Sequence, residues 1–145
     1  MYMEYNPNLM ATGLAALIPM IVGFVYYHPK VMGGMWMDAN GFKLETLKPP
    51  KPILYLAALG LSVLLSLFIQ QNVTGPGQDT APDGHSYHTF GHGLVHGLVL
   101  TIMLVIPIFG TMAIFEQKSM KWLGVNVGYW LVTVSLMAGL LSAWR

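Results

Sequence analysis

The chain has 145 residues, of which 54% are hydrophobic and only 9% charged, with a formal net charge of +1. A soluble domain carries roughly 25% charged residues, so a water-facing surface is excluded; the near-neutral balance argues against a nucleic-acid-binding module, and the lack of cysteine removes disulfides, thiolate metal sites and thiol nucleophiles. What such a composition can build is one small all-α integral membrane domain with the lipid bilayer as its principal solvent.

Four uncharged apolar stretches are long enough to cross a bilayer, which takes about 20 residues. The first covers residues 9–27. Ahead of it stand Glu4 and no Lys or Arg, where a cleaved signal peptide would be basic, so the span is expected to be retained. A loop over residues 29–52 ends in the stiff Lys48-Pro49-Pro50-Lys51-Pro52 segment and leads into the second span, residues 53–70. A histidine-rich loop, residues 74–91, precedes the third span at 92–115, and a short turn joins it to the fourth at 122–144. Transmembrane strands would alternate apolar and polar residues, whereas residues 94–108 are apolar almost without interruption. The pattern therefore predicts a bundle of four transmembrane helices.

Backbone groups in lipid must be paired internally, so Pro19, Pro107, Gly13, Gly23, Gly110 and Gly139 are expected to mark kinks or close helix contacts. Gly93 with Gly97, and Gly124 with Gly128, form small-xxx-small pairs that let helices approach. An internal echo accompanies them: Ile18-Pro19-Met20 has His28 nine residues after its proline, and Ile106-Pro107-Ile108 has Glu116 at the same spacing. Such an echo suits a parallel duplication about an axis along the membrane normal, although short apolar-Pro-apolar triplets also arise by chance.

With four spans, both termini and the histidine-rich loop share one side. Lys30, Lys43, Lys48, Lys51, Lys118 and Lys121, six of the seven Lys and Arg residues, fall in the loops of the other side, and only Arg145 lies opposite. The positive-inside rule makes the lysine-bearing loops cytoplasmic and both termini external.

Two constellations are candidates for chemistry. His85, His88, His92 and His96 occupy one short run. At about 100° per residue they would lie within about 80° of one another if the run were helical, and neutral imidazole is the commonest ligand for Zn, Cu or Ni. A metal or haem site is one reading. The other is that these rings cap and wet the outer end of the third helix, since Gly84, Gly91 and Gly93 weaken a helix there and no acidic residue inside the run orients a ring. At the opposite end stand Tyr26, Tyr27 and His28 with Glu116 and Asn126, readable as a proton-relay or ligand pair of Glu116 and His28, or as an interfacial network in which Glu116 meets Lys118 and Lys121. His28 is separated from the histidine run by about 30 Å of bilayer.

Trp36, Trp122, Trp130, Trp144, Tyr2, Tyr5, Tyr55 and Tyr129 are read mostly as headgroup anchors, with Trp130 the mid-span exception. Met32, Met35 and Met37 near Trp36 could be a copper path, but apolar filling explains them. Asn72 opens a formal glycosylation acceptor against the membrane end of the second span. No nucleophile elbow, phosphate-binding loop, HExxH helix or paired intramembrane carboxylates occur, so an enzyme would have only Glu116 and the histidines to work with, and the reading leans away from catalysis.

Tyr27-His28-Pro29 followed by Gly33-Gly34-Met35-Trp36-Met37 and Gly41 resembles the signature after the first helix of domain-of-unknown-function family 1761. Gly91-His92-Gly93, His96-Gly97, Pro107, Phe115-Glu116-Gln117-Lys118 and Asn126-Val127-Gly128-Tyr129-Trp130 are similar to its third and fourth helices. The resemblance spans nearly the whole chain and implies a small bacterial inner-membrane protein of four helices, with no established activity, substrate or catalytic residues. The histidine run is richer than the family pattern, so the resemblance carries no metal site. The leading expectation is a binding or accessory subunit, as a homo-oligomer or within a larger membrane complex. The alternatives are a transporter or channel-like oligomer whose outer mouth is lined by the histidines, and a metal or haem protein.

Overall fold

The computed structural model describes residues 6–74 and 79–144. Tyr2, Glu4, Tyr5 and Arg145, on which the expectations about the chain ends rest, lie outside these, as do residues 75–78 of the histidine-rich loop. The secondary structure of the described residues is all-helical, with no strand, and four helical segments are long and apolar enough to cross a membrane.

The first span, Leu9–Tyr26, is built from α1 (Leu9–Ala15) and α2 (Ile18–Tyr26), which meet at Ala16 and Leu17. Pro19 has no N–H for the carbonyl four residues earlier, and its ring crowds that carbonyl, so the helix is interrupted just before it. Asn8 caps α1, its Oδ1 accepting from the amides of Met10 and Ala11 at 3.1 and 3.0 Å.

Residues 29–52, expected as a loop, contain more structure than that. A π-helical turn (Pro29–Gly33) runs directly into α3 (Gly34–Asn40), and a 3₁₀ turn follows at Leu44–Thr46. Gly33 makes the tight return feasible: a Cβ there would strike the Tyr27 carbonyl. The consecutive glycines read as a break in the sequence, but what they supply is room for close packing.

The second span is the single helix α4 (Pro52–Thr74), opening on proline, the residue best tolerated at a helix's first position. The third span is α5 (Phe90–Leu100), a π-helical turn (Thr101–Val105) and α6 (Ile106–Phe115). Pro107 again lies just beyond the irregularity, and the wider turn relieves the clash its ring would cause. The fourth span is α7 (Met120–Ala143), capped by the Ser119 hydroxyl, which accepts from the Trp122 amide at 3.1 Å.

All four spans pack tightly at only one end, the end that carries the histidines. Ala11, Ala15, Ile69, Val73, Val134, Met137, Ala138 and Leu141 form the buried core there, and all come from the halves of the first, second and fourth spans nearer the histidines. The third span joins through Gly93 and Gly97: a Cβ on Gly93 would strike the Ala138 carbonyl and one on Gly97 the Ser135 Cα, so the two backbones are in contact. The second glycine pair behaves differently. Gly124 faces open space, and a Cβ on Gly128 would meet only the Tyr26 hydroxyl, at 2.5 Å.

A buried polar network locks the first span to the second at the same end. The Thr12 hydroxyl lies 2.7 Å from Gln70 Oε1 and 2.9 Å from the Asn8 carbonyl, donating to one at a time. The Ser66 hydroxyl donates to the Thr12 carbonyl at 2.9 Å, and the Gln70 amide donates to the Asn8 carbonyl at 3.3 Å. In an apolar surrounding, pairing these groups with one another is what makes their burial tolerable.

Candidate functional site

At the lysine end the spans diverge. Many of the residues that face inward there are aromatic. Tyr27 sits among Tyr129, Trp36 and Tyr26, with ring centroids at 5.1, 5.7 and 5.3 Å. Trp130 meets Tyr129 edge-on at 5.0 Å. Hydrogen bonds fix the cluster: the Tyr26 hydroxyl donates to the Val125 carbonyl at 2.9 Å and the Tyr129 hydroxyl to the Pro19 carbonyl at 2.8 Å, both between the first and fourth spans. The Tyr27 hydroxyl lies 3.5 Å from Asn126 Oδ1, a long contact.

Between this cluster and α4 runs a half-open groove of about 750 Å³. One wall is made by Phe24, Tyr27, Tyr129 and Trp130, the other by Tyr55, Ala58, Leu61 and Leu65, with Trp36 and Pro50 at the rim. Phe24 and Tyr55 stack across it, 6.3 Å apart. Among the described residues no Asp, Glu, Lys, Arg or His lines it. Two of its polar groups are occupied within the protein, because Tyr129 bonds Pro19 and the Ser62 hydroxyl donates to the Ala58 carbonyl at 2.9 Å. Its volume falls within the roughly 300–1,000 Å³ of ligand pockets. Such a lining can desolvate hydrocarbon; it offers no nucleophile or acid–base pair.

The polar residues singled out at this end are not joined into one cluster. His28 is exposed and accepts the Lys30 amide on Nδ1 at 3.2 Å, capping its own turn. Glu116 is exposed and 3.8 Å from Lys118. Among the described residues no hydrogen bond or ion pair connects His28 with Glu116. Lys121 lies 3.9 Å from Asp38 of α3, a partner unsuspected from sequence. Asn126 is the one member that reaches the aromatic cluster, while its amide donates to the Trp122 carbonyl at 2.8 Å.

The histidine run does not form one helical face. Helix α5 begins at Phe90, and its cap Thr89 is extended, with φ −133° and ψ 148°, its hydroxyl accepting the His92 amide at 3.1 Å. His85 and His88 therefore belong to the preceding turn, where His88 lies 3.2 Å from Asp79 and His85 lies 3.6 Å from Asp83. His92 and His96 do share a helix face, with ring centroids 4.5 Å apart, and Tyr87 stacks on His92 at 4.4 Å. Among the described residues no three His, Asp or Glu side chains gather where they could hold a metal ion. The segment's own anchor is the Ser142 hydroxyl, which donates to the Tyr87 carbonyl at 3.0 Å.

The family whose description is "Protein of unknown function (DUF1761)" matches residues 10–142. The chain belongs to the DUF1761 family. No curated protein and no solved structure matches it. For this DUF1761 member the groove is the feature that sequence reading missed. Its signals were present in Tyr26-Tyr27 and Tyr129-Trp130, but each pair alone resembles an ordinary interfacial anchor. Gln70 and Thr12 were missed in the same way, although polar residues at membrane depth were the cue.

Proposed function

We propose that this DUF1761 protein is a binding protein of a bacterial inner membrane that accepts a long-chain apolar molecule from the leaflet into the groove at its lysine end. The observation that carries this reading is the open, uncharged groove of about 750 Å³, bounded by aromatic rings that are pinned between the first and fourth spans. A preformed cavity of this kind binds hydrocarbon without first having to open. The lysine-bearing loops face the cytoplasm in this reading and both termini face outward. Passage through a single copy is disfavoured, because the histidine end is closed by the buried core and the Gly93 and Gly97 contacts. Function as a homo-oligomer or as the accessory subunit of a larger complex is compatible with the groove, which is formed within one chain.

Native mass measurement of the purified protein released from detergent tests the reading. An apolar molecule should be retained by the wild-type chain and reduced about tenfold in Ala58→Trp, which fills the groove from an exposed position on α4. Retention that is absent in the wild type, or equal in Ala58→Trp, would overturn it. The same spectra report the oligomeric state and any stoichiometric partner, and elemental analysis of the sample tests the histidines for bound metal.

A further inference from the structure

The lysines at this end divide into two groups. Lys118 and Lys121 have carboxylates nearby in Glu116 and Asp38. Lys30, Lys43, Lys48 and Lys51 are exposed and have no ion-pair partner among the described residues. Two of these, Lys48 and Lys51, flank in sequence the exposed Pro50, which lines the groove and marks its rim on this side. They stand in a segment of three prolines, where the backbone has little freedom. The helix that starts at Pro52 adds the partial positive charge of its N-terminus to the same rim. Tyr27, Trp36 and Tyr55 place aromatic rings beside it, the residue type that settles at the level of lipid headgroups. An apolar cleft thus leads to a cationic rim within one leaflet, and the nearest acidic residue in the loop, Glu45, does not line the groove.

We propose that the occupant is an anionic glycerophospholipid, with an acyl chain in the groove and its negatively charged headgroup held by Lys48 and Lys51. The assignment rests on the groove reading above and adds the headgroup to it. Charge complementarity selects this occupant: a zwitterionic lipid brings its own cation to a rim that already has two, and a second copy of the chain would bring the same lysines against themselves. Long lysine stems lie along apolar surface while the ammonium reaches the phosphate level, and near a membrane surface each lysine contributes about fivefold to anionic lipid binding.

The test is a native-mass titration of the delipidated full-length protein with phosphatidylglycerol and with phosphatidylcholine of identical acyl chains, at low ionic strength. The wild-type chain should bind phosphatidylglycerol about tenfold more tightly or better, and K48Q/K51Q should bring the ratio to within about twofold of unity by weakening phosphatidylglycerol more than phosphatidylcholine. Both substitutions are at exposed sites, and an unchanged unfolding temperature checks that the variant is folded. Added salt should erode the preference in the wild type alone. Equal binding of the two lipids by the wild type, still lost in Ala58→Trp, overturns the headgroup assignment and leaves the groove reading standing. A preference that survives K48Q/K51Q overturns the assignment to these lysines. Failure of both lipids to bind, or a lipid-free dimer, overturns the groove reading and the headgroup assignment together.

Discussion

The two ends of the bundle are made from the same four helices and pack differently. At the histidine end the first, second and fourth spans meet through Ala11 and Ala15 of the first span against Ile69, Val73, Val134, Met137, Ala138 and Leu141, and the third lies backbone to backbone on the fourth at Gly93 and Gly97. At the lysine end the inward residues are Phe24, Tyr27, Trp36, Tyr129 and Trp130, and a groove of about 750 Å³ opens between them and α4. In lipid, apolar side chains gain little by turning from acyl chains to one another, so close fit and polar pairing decide where helices join. Alanines set against larger aliphatic side chains give that fit at one end; at the other, aromatic rings line an open groove.

The largest expected effect comes from forcing the closed end apart. Gly97→Leu places a side chain into the backbone of α7 and should cost about 3 kcal/mol or more, read as the unfolding free energy in detergent. Gly124→Leu, on a glycine facing open space, should cost less than about 1 kcal/mol. If both cost the same, close packing does not distinguish the two ends.

Next comes the polar lock. Gln70→Leu removes the partner of Thr12 and of the Asn8 carbonyl, and a loss of about 1 kcal/mol is expected. Since Thr12 retains the Asn8 carbonyl, Thr12→Val combined with Gln70→Leu should cost less than the sum of the two single changes, a non-additivity that a double-mutant cycle measures.

At the open end, Tyr129→Phe deletes the bond to the Pro19 carbonyl and should cost about 0.5–1 kcal/mol, with retention of the bound molecule unchanged because the ring stays in the wall. A variant that loses its ligand without losing stability would show instead that the hydroxyl faces the occupant.

The smallest effect is expected at the surface of the histidine loop. His88→Gln breaks the contact with Asp79, in which both groups are well exposed, and should change stability by less than about 0.5 kcal/mol. A larger loss would mean that the loop, and not only the buried core, holds the closed end together.

Much of this fold was legible because the responsible signals are local. Pro19 and Pro107 marked the two interrupted spans, and Gly93 with Gly97 marked a close helix contact, each from a few neighbouring residues. The shared histidine face was conditional on a helical run, and that condition fails before Phe90 for a local reason as well: Thr89 caps α5 and puts His85 and His88 in a turn. Gly124 with Gly128 has the same spacing as the true contact pair but faces no helix backbone, since spacing says nothing of what stands opposite.

By itself the sequence determined that this is a four-helix membrane protein, because the transfer of some 20 consecutive residues into lipid is a sum over neighbours in the chain and needs no knowledge of the fold. Only the tertiary structure decided where the helices close and where they part. Tyr27, Trp36, Ala58 and Tyr129 are distant in sequence, and whether their side chains meet or enclose a space depends on the path of every segment between them. A groove is a property of the surfaces that surround it, and no single stretch of this chain contains one.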